Sequence, residues 1–193
     1  MARIRILRPN VSQLEAVELL APPGPSGYLR DKIFGRLQSV AEFYVPFRLF
    51  QVEISNRGIS QRRIFALDVI AGSLDLYEFE TLPEGHNIDY VATRNYAEAT
   101  LSDERAAEIL IAKVQRILYL RGFFRLRNLR ISAHAVPGDF HIPYWIGFRG
   151  HGERARVVVF DALRRRAEGA KVKGLLRDWL SAVHAGNCGS SGP

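Results

Sequence analysis

The sequence predicts an α+β fold made of two similar halves, each combining a helix with an antiparallel sheet, followed by a C-terminal helix. Three observations carry this prediction. Apolar residues recur at helical spacing over residues 103–120. Runs rich in aromatic and β-branched residues, typical of strands, occupy residues 43–54 and 140–148. A degenerate repeat relates these two runs to each other.

The first half begins with a short alternating stretch and two candidate helices. Ser12 and Glu15 have the spacing of a capping box, which predicts a short helix toward Leu20. The segment Pro22-Pro23-Gly24-Pro25 ends that helix. A second helix is predicted over residues 28–40, where apolar residues recur every three and four positions: Leu29, Ile33, Phe34, Leu37, Val40 and Ala41.

A hairpin follows in the first half. The run from Phe43 to Ile54 reads as a strand, Asn56-Arg57-Gly58 is a turn signal, and the return strand extends from residue 59 to 69. Residues 74–79 alternate as a further strand. The acidic stretch 80–101 contains proline and glycine and is predicted to be irregular.

The second half begins with the strongest helix signal. Ser102 is an N-cap candidate and Gly122 a C-cap candidate for the helix over 103–120. A strand is predicted over residues 124–136, with a bulge at Asn128. A second hairpin and a final helix complete the chain, and their predicted ranges are 140–148, 154–160 and 171–183.

The repeat joins the two hairpins. Residues 43–50 (FYVPFRLF) match residues 140–147 (FHIPYWIG) at a spacing of 97, and residues 64–68 match 157–161 at a spacing of 93. We interpret this as an internal duplication. The alternative is convergence between two β-rich segments. Asp68 and Asp161 each end a strand, where an aspartate commonly bonds its own backbone to turn the chain. The order of hairpin, aspartate and turn resembles small α+β modules such as PepSY-like units, over one hairpin per half, and this resemblance implies no function.

These patterns predict four segments. They are an N-terminal arm at 1–25, a first α+β repeat at 26–101, a second α+β repeat at 102–185 and a disordered tail at 186–193. The two repeats are expected either as separate domains or as one pseudo-twofold globule.

Charge is unevenly distributed along the chain. The net charge is +7. Residues 75–104 hold eight acidic residues and one arginine, whereas residues 123–177 hold twelve basic and four acidic residues. Such asymmetry indicates an anionic partner or two complementary faces of one protein.

The basic second half holds the candidate binding residues. Guanidinium groups pair with phosphates, and aromatic rings stack on bases. The candidates for nucleic-acid or anion binding are Arg125, Arg127, Arg130, Arg164, Arg165, Arg166, Lys171 and Lys173. The aromatic surface candidates are Tyr144, Trp145 and Phe148.

Catalytic and metal-binding patterns are weak. His134, His141 and His151 could approach one another across strands, but the sequence has no HExxH or CxxC motif, so no metal and no cofactor are predicted. Glu78, Glu80 and Asp68 are the carboxylates considered for acid–base chemistry. Solvated charges at a strand edge, which also block edge-to-edge pairing, are the favoured interpretation of the two glutamates. No catalytic residue is therefore assigned.

The predicted function is that of a non-enzymatic protein-binding or assembly module, with self-association as one form of it. The alternative is nucleic-acid binding through the arginine-rich half, and a further alternative is an enzyme with an unfamiliar site. The single cysteine, Cys188, fits a reducing compartment. With no apolar stretch long enough to span a membrane, the expected location is the cytoplasm.

Overall fold

The computed structural model describes residues 1–122, 128–151 and 155–188. Within these residues the chain is mixed α/β, with four helices and one mostly antiparallel sheet of nine strands. The predicted combination of helices with an antiparallel sheet and a C-terminal helix is confirmed at this level. The strands are β1 (Ala2–Leu7), β2 (Leu37–Asn56), β3 (Ile59–Asp68), β4 (Tyr77–Phe79), β5 (Ile88–Thr93), β6 (Arg130–Ala135), β7 (Phe140–Arg149), β8 (Arg156–Asp161) and β9 (Arg166–Ala167). The helices are α1 (Gln13–Leu20), α2 (Pro25–Phe34), α3 (Asp103–Gly122) and α4 (Ala170–Cys188).

The chain divides into two compact units, and each is assembled from separate stretches of sequence. Unit 1 comprises Met1–Leu7 and Val45–His141, and unit 2 comprises Arg8–Tyr44 and the described part of Ile142–Pro193. The predicted segments were continuous in sequence, whereas each unit combines residues from both predicted repeats. In particular, α1 belongs to the same unit as the second hairpin, and α3 to the same unit as the first.

Unit 1 is built on the β2–β3 hairpin. Arg57 and Gly58 both have positive φ (55° and 79°), so the predicted turn is a tight hairpin turn in which Asn56 pairs with Ile59. β6 lies on the other side of β2, where Phe50 faces Ala135. α3 packs on the apolar face of this sheet, and the core it forms consists of Phe50, Val52, Ile54, Phe65, Leu67, Val69, Ala106, Leu110 and Val114.

Unit 2 is built on the hairpin of β7 and β8. α1 begins with the predicted capping box, since the Ser12 hydroxyl accepts from Glu15 N and the Glu15 carboxylate accepts from Ser12 N. The helix packs on the hairpin, and the core consists of Val11, Ala16, Leu20, Trp145, Phe160 and Ala162.

The two hairpins have the same register. Phe47 faces Asp68 in unit 1, and Tyr144 faces Asp161 in unit 2. Beyond each strand end the next amide donates to a proline carbonyl, from Val69 N to Pro46 O at 3.1 Å and from Ala162 N to Pro143 O at 3.2 Å. These positions are the ones that the sequence repeat pairs.

The two units also correspond in the helix that packs on each hairpin. Residues in and just before α3 match residues in and just before α1 that lie 90 positions earlier in the sequence. Thr100 donates from its backbone to Val69 O and from its hydroxyl to Ile70 O. Asn10 donates from its backbone to Ala162 O and from its side-chain amide to Leu163 O. Matched small and apolar residues follow on the buried helix faces, Ala106 and Leu110 in α3 and Ala16 and Leu20 in α1.

Several boundaries differ from the sequence-based predictions. The predicted helix 28–40 ends at Phe34, because Gly35 takes φ 80° and the chain continues as β2 from Leu37. The acidic stretch contains a 3-10 turn (Gly85–Asn87) and β5, which pairs with β1. α4 includes residues 186–188 of the predicted tail, and the last five residues lie outside the described part of the chain.

Candidate functional site

The predicted basic cluster is divided between the two units. Arg130 is exposed on β6 in unit 1, whereas Arg164, Arg165, Arg166, Lys171 and Lys173 belong to unit 2. Arg125 and Arg127 lie outside the described residues.

The three consecutive arginines are bound to groups of their own unit. Arg164 lies 4.0 Å from Asp161, Arg165 lies 3.6 Å from Glu15, and Arg166 lies 3.0 Å from Glu168. Arg165 also donates to the Asn10 carbonyl at 3.1 Å. Arg165 thus connects the β8–β9 turn to the start of α1, whereas Arg164 and Arg166 pair with carboxylates close to them in sequence.

Two of the three aromatic surface candidates lie in the core. Tyr144 is 2% exposed and Trp145 is 3% exposed, and Trp145 donates from Nε1 to the Val11 carbonyl at 2.9 Å. Phe148 is half-buried. Burial of the rings at 144 and 145 removes them as stacking platforms, because a base requires an open aromatic face.

Asp68 and Asp161 shape turns. The fully buried Asp68 carboxylate accepts from the backbone amides of Ala71, Gly72 and Leu74 at 2.7–3.0 Å. Asp161, equally buried, accepts from Leu163 N and Arg164 N at 2.8 Å. These bonds are those of a turn, as the sequence interpretation favoured.

The histidines considered as metal ligands are dispersed. Within the described residues no group of three or more His, Cys, Asp or Glu side chains is placed to hold a metal ion. His141 instead makes a hydrogen bond through Nδ1 with the Arg5 carbonyl at 3.2 Å, and its ring contacts Tyr96. Burial lowers the pKa of His141 below its usual value, because a charged imidazolium would lose hydration.

Arg48 occupies a polar cluster in unit 1. It forms a bidentate pair with Asp139 at 2.7 and 2.9 Å, and it also contacts Asp103 and the Leu101 carbonyl. The paired carboxylates raise the pKa of Arg48 further, chiefly through the bonds to Asp139. These contacts connect β2 to the β6–β7 turn through Asp139 and to the start of α3 through Asp103.

Polar contacts attach α2 to unit 2. Arg149 is only 1% exposed and donates to Asp31 Oδ1 at 3.0 Å, to the Gly35 carbonyl at 2.7 Å and to the Leu20 carbonyl. Arg30 donates to the Leu19 and Leu20 carbonyls at 3.1 and 3.3 Å. Gly27 is the buried residue of α2, and a Cβ there would overlap the Pro22 carbonyl.

The apolar side chains of α2 therefore point to solvent. Tyr28 is 74% exposed, Leu29 57%, Ile33 58% and Phe34 43%. The sequence spacing of Leu29, Ile33 and Phe34 is the spacing of a buried helix face, and their exposure is a clear departure from that pattern. A cluster of large exposed apolar residues marks an interaction site in soluble proteins. We call this set of four residues, with Lys32 between them, the α2 surface.

A basic cavity borders the α2 surface. It has a volume of about 590 Å³ and is lined by Lys32, Ile33, Phe34, Gly35, Gly150, His151, Ala155 and Arg156. The Arg156 guanidinium lies 5.5 Å from the centre of the Phe34 ring, a cation–π contact that keeps the charge beside the apolar residues. The surface is therefore apolar at its centre and positive at one side.

An open groove of about 870 Å³ lies in unit 1 beside β3 and β4. It is lined by Gln51, Arg62, Arg63, Ile64, Glu78, Phe79, Glu80, Thr81, Leu82 and Glu84, and we call it the β4 groove. Arg63 pairs with Glu78 at 2.9 Å. The apolar part of the groove wall consists of Ile64, Phe79 and Leu82. Negative charge comes from Glu80 and Glu84.

Comparisons of the chain with protein-family models, with curated proteins and with solved structures find no match. In the described part of the chain, no helix combines the length and apolar character needed to cross a membrane. The functional argument therefore rests on the surfaces of the two units.

Proposed function

We propose that this chain is a non-enzymatic protein-binding module, and that the α2 surface docks an apolar and acidic segment of a protein partner. The observation that carries the proposal is the orientation of α2: Asp31 and Arg30 bond to their own unit, while Tyr28, Leu29, Ile33 and Phe34 are exposed to solvent.

If a partner covered the exposed apolar side chains of α2, their burial would contribute favourable free energy that folding of the chain alone does not provide. Covering an exposed leucine or isoleucine side chain is worth roughly 1.5–3 kcal/mol. A helix that presents residues at i, i+4 and i+5, as Leu29, Ile33 and Phe34 do, fits an apolar groove in the manner of helix-in-groove recognition.

The basic residues beside the apolar side chains of α2 determine which chemical groups a partner should carry. Lys32, His151 and Arg156 line the adjoining cavity, and Arg36 is exposed just after α2. Asp31, the acidic residue within α2, is paired with Arg149. A partner that carries carboxylates next to apolar side chains would complement this arrangement.

We also propose that the two units descend from one duplicated unit with exchanged helices. Support comes from the matched hairpin register and from the matched donors at the helix starts. Arg48 and Trp145 occupy equivalent hairpin positions, and each donates to the carbonyl preceding its helix N-cap, that of Leu101 or Val11. Each hairpin would then pack on the helix that precedes the other hairpin in sequence.

This duplication would explain where the two units diverge. In unit 1, α3 continues to Gly122 and its second half buries Val114 against the hairpin. In unit 2 the equivalent helix stops at Leu20, the prolines break it, and α2 follows in a new direction. α2 is thus one element by which the two copies differ.

Nucleic-acid binding has less support. Arg164, Arg165 and Arg166 are each engaged with a carboxylate of unit 2, and Tyr144 and Trp145 are buried. Phosphate contacts would have to compete with those ion pairs.

The test places a photo-crosslinking amino acid at Ile33, with Ile59 as the control position. Ile59 is 68% exposed but lies beside the hairpin turn of unit 1. We expect crosslinking to one protein from position 33 only. That protein, once identified and purified, should bind the unmodified chain, with affinity reduced at least tenfold by the double variant Leu29→Ser, Ile33→Ser and unchanged by Ile59→Ser.

Three results would contradict the proposal. They are crosslinking of position 33 to lipid or to nucleic acid, equal crosslinking from positions 33 and 59, and unchanged binding by the double variant.

A further inference from the structure

We infer that the partner of the α2 surface is a second copy of this chain, whose β4 groove receives the helix. The inference rests on the proposed function and adds the identity of the partner. It follows from a match in apolar character and in charge between two surfaces on different units.

The β4 groove offers the apolar contacts that α2 lacks. Its walls include Phe79 and Ile64, which pair across β4 and β3, and Leu82 follows β4 in the chain. β4 is only three residues long, so the wall beside it is open. The groove volume of about 870 Å³ lies within the range of cavities that enclose a substantial ligand, about 300–1,000 Å³.

The β4 groove is net negative, because three glutamates line it against Arg62 and Arg63. Arg63 is paired with Glu78, and among the described residues neither Glu80 nor Glu84 has an ion pair within 4 Å. Lys32 is the charged residue within the α2 surface, and Arg156 lines the same cavity. Because the ends of such an interface are solvent-accessible, these charges would set register and association rate more than total affinity.

The interface would be heterologous, because α2 belongs to unit 2 and the groove to unit 1. A heterologous contact leaves one surface of each kind open on every dimer, so it propagates into rings or linear chains. We therefore expect the weight-average mass to rise with concentration beyond that of a dimer, and to fall as salt screens the charges.

The arrangement permits a complementation experiment with two charge-reversal variants. Lys32→Glu damages the helix surface and leaves the groove intact, whereas Glu80→Lys damages the groove and leaves the helix intact. Each variant alone should associate at least tenfold more weakly than the wild-type chain in sedimentation velocity. An equimolar mixture should recover association, because the undamaged helix of one variant meets the undamaged groove of the other and the two reversed charges meet at the second contact.

Matched controls separate these effects from net charge. Arg116→Glu on exposed α3 changes the charge as Lys32→Glu does, and Glu98→Lys changes it as Glu80→Lys does. Both controls should associate as the wild-type chain does. The double variant Lys32→Glu, Glu80→Lys should recover association, because each reversed charge again meets its opposite.

The outcomes distinguish this inference from the proposed function. A wild-type chain that stays monomeric at every concentration overturns the inference, as does association that neither variant weakens. Specific crosslinking of position 33 to a different protein would then leave the proposed function standing. Absence of any protein crosslink at position 33 would remove both.

Discussion

Arg149 and Asp31 form a salt bridge in which Nη1 and Oδ1 are 3.0 Å apart, with the guanidinium almost wholly buried and the carboxylate partly exposed. The same guanidinium donates to the Leu20 carbonyl at the end of α1 and to the Gly35 carbonyl just after α2. One side chain therefore fixes which side of α2 faces the protein. The exposed apolar surface follows from this polar attachment.

Replacing Arg149 should loosen α2. Arg149→Met keeps an apolar side chain of similar length but removes the donor to Asp31, to the Gly35 carbonyl and one of the two donors to the Leu20 carbonyl. Unsatisfied buried acceptors cost about 1–3 kcal/mol each. We expect a loss of roughly 2–4 kcal/mol in the free energy of unfolding, measured by urea denaturation. Arg116→Met, at an exposed position of α3, should change it by less than about 0.5 kcal/mol. Equal effects of the two variants would contradict the structural role of Arg149.

Removing apolar side chains from the α2 surface should leave stability nearly unchanged. The double variant Leu29→Ser, Ile33→Ser removes groups that are already more than half exposed. We expect a change within about 1 kcal/mol, because exposed substitutions typically change stability by no more than about 0.5 kcal/mol each. By contrast, Leu110→Ala in the core of unit 1 should cost about 2–5 kcal/mol. Thermal and urea unfolding of the three proteins make the comparison.

Two glycines should respond oppositely to alanine. A Cβ at Gly35 would lie 2.7 Å from Gly150 Cα, and its φ of 80° disfavours any side chain. Gly35→Ala should therefore destabilise the protein by at least about 1 kcal/mol. Gly174 lies inside α4 with open space around it, so Gly174→Ala should increase the free energy of unfolding by up to about 1 kcal/mol. Melting temperatures that move in the same direction would refute the contacts described for Gly35.

The buried turn at Asp68 should depend on its charge. Asp68 uses both oxygens to accept three amide protons. Asp68→Asn replaces one acceptor by a donor that faces an amide, so we expect a loss of about 1–3 kcal/mol. Asp178→Asn on the exposed side of α4 serves as the control, and hydrogen exchange at Leu74 reports the same bond directly.

Stability should fall through His141 as the pH drops from the usual histidine pKa of about 6.5 to the lower folded pKa. Its folded pKa lies below the usual value of about 6.5, so the unfolded chain binds more protons in that window and stability rises with pH. Acidification therefore removes stability until the folded pKa is reached. His141→Gln should flatten this part of the profile, as measured by urea denaturation across the range. An unchanged slope would show that other groups control it.

Local sequence signals predicted the strongly patterned elements. Ser12 with Glu15 predicted the cap of α1, because that bond joins residues three apart. Arg57 and Gly58 predicted the hairpin turn for a similar reason, and the run from residue 103 predicted α3. Asp68 and Asp161 were interpreted as turn formers from position alone, and their backbone bonds have that form.

The α2 surface was not predictable in the same way. Leu29 and Ile33 have the spacing of a buried helix face, but the contacts that orient α2 include Arg149, which lies more than a hundred residues away in sequence. Trp145 was placed on the surface because alternation along a strand does not reveal which elements cover it. Its indole bond to Val11 is a contact between distant parts of the chain.

The sequence alone therefore predicted the cap of α1, the helix α3 and the β2–β3 turn, since these depend on interactions between residues a few positions apart. The tertiary structure decided which helix packs on which hairpin and which face of α2 meets solvent. Those outcomes depend on long-range hydrogen bonds and on the burial of Arg149, and no local pattern encodes either.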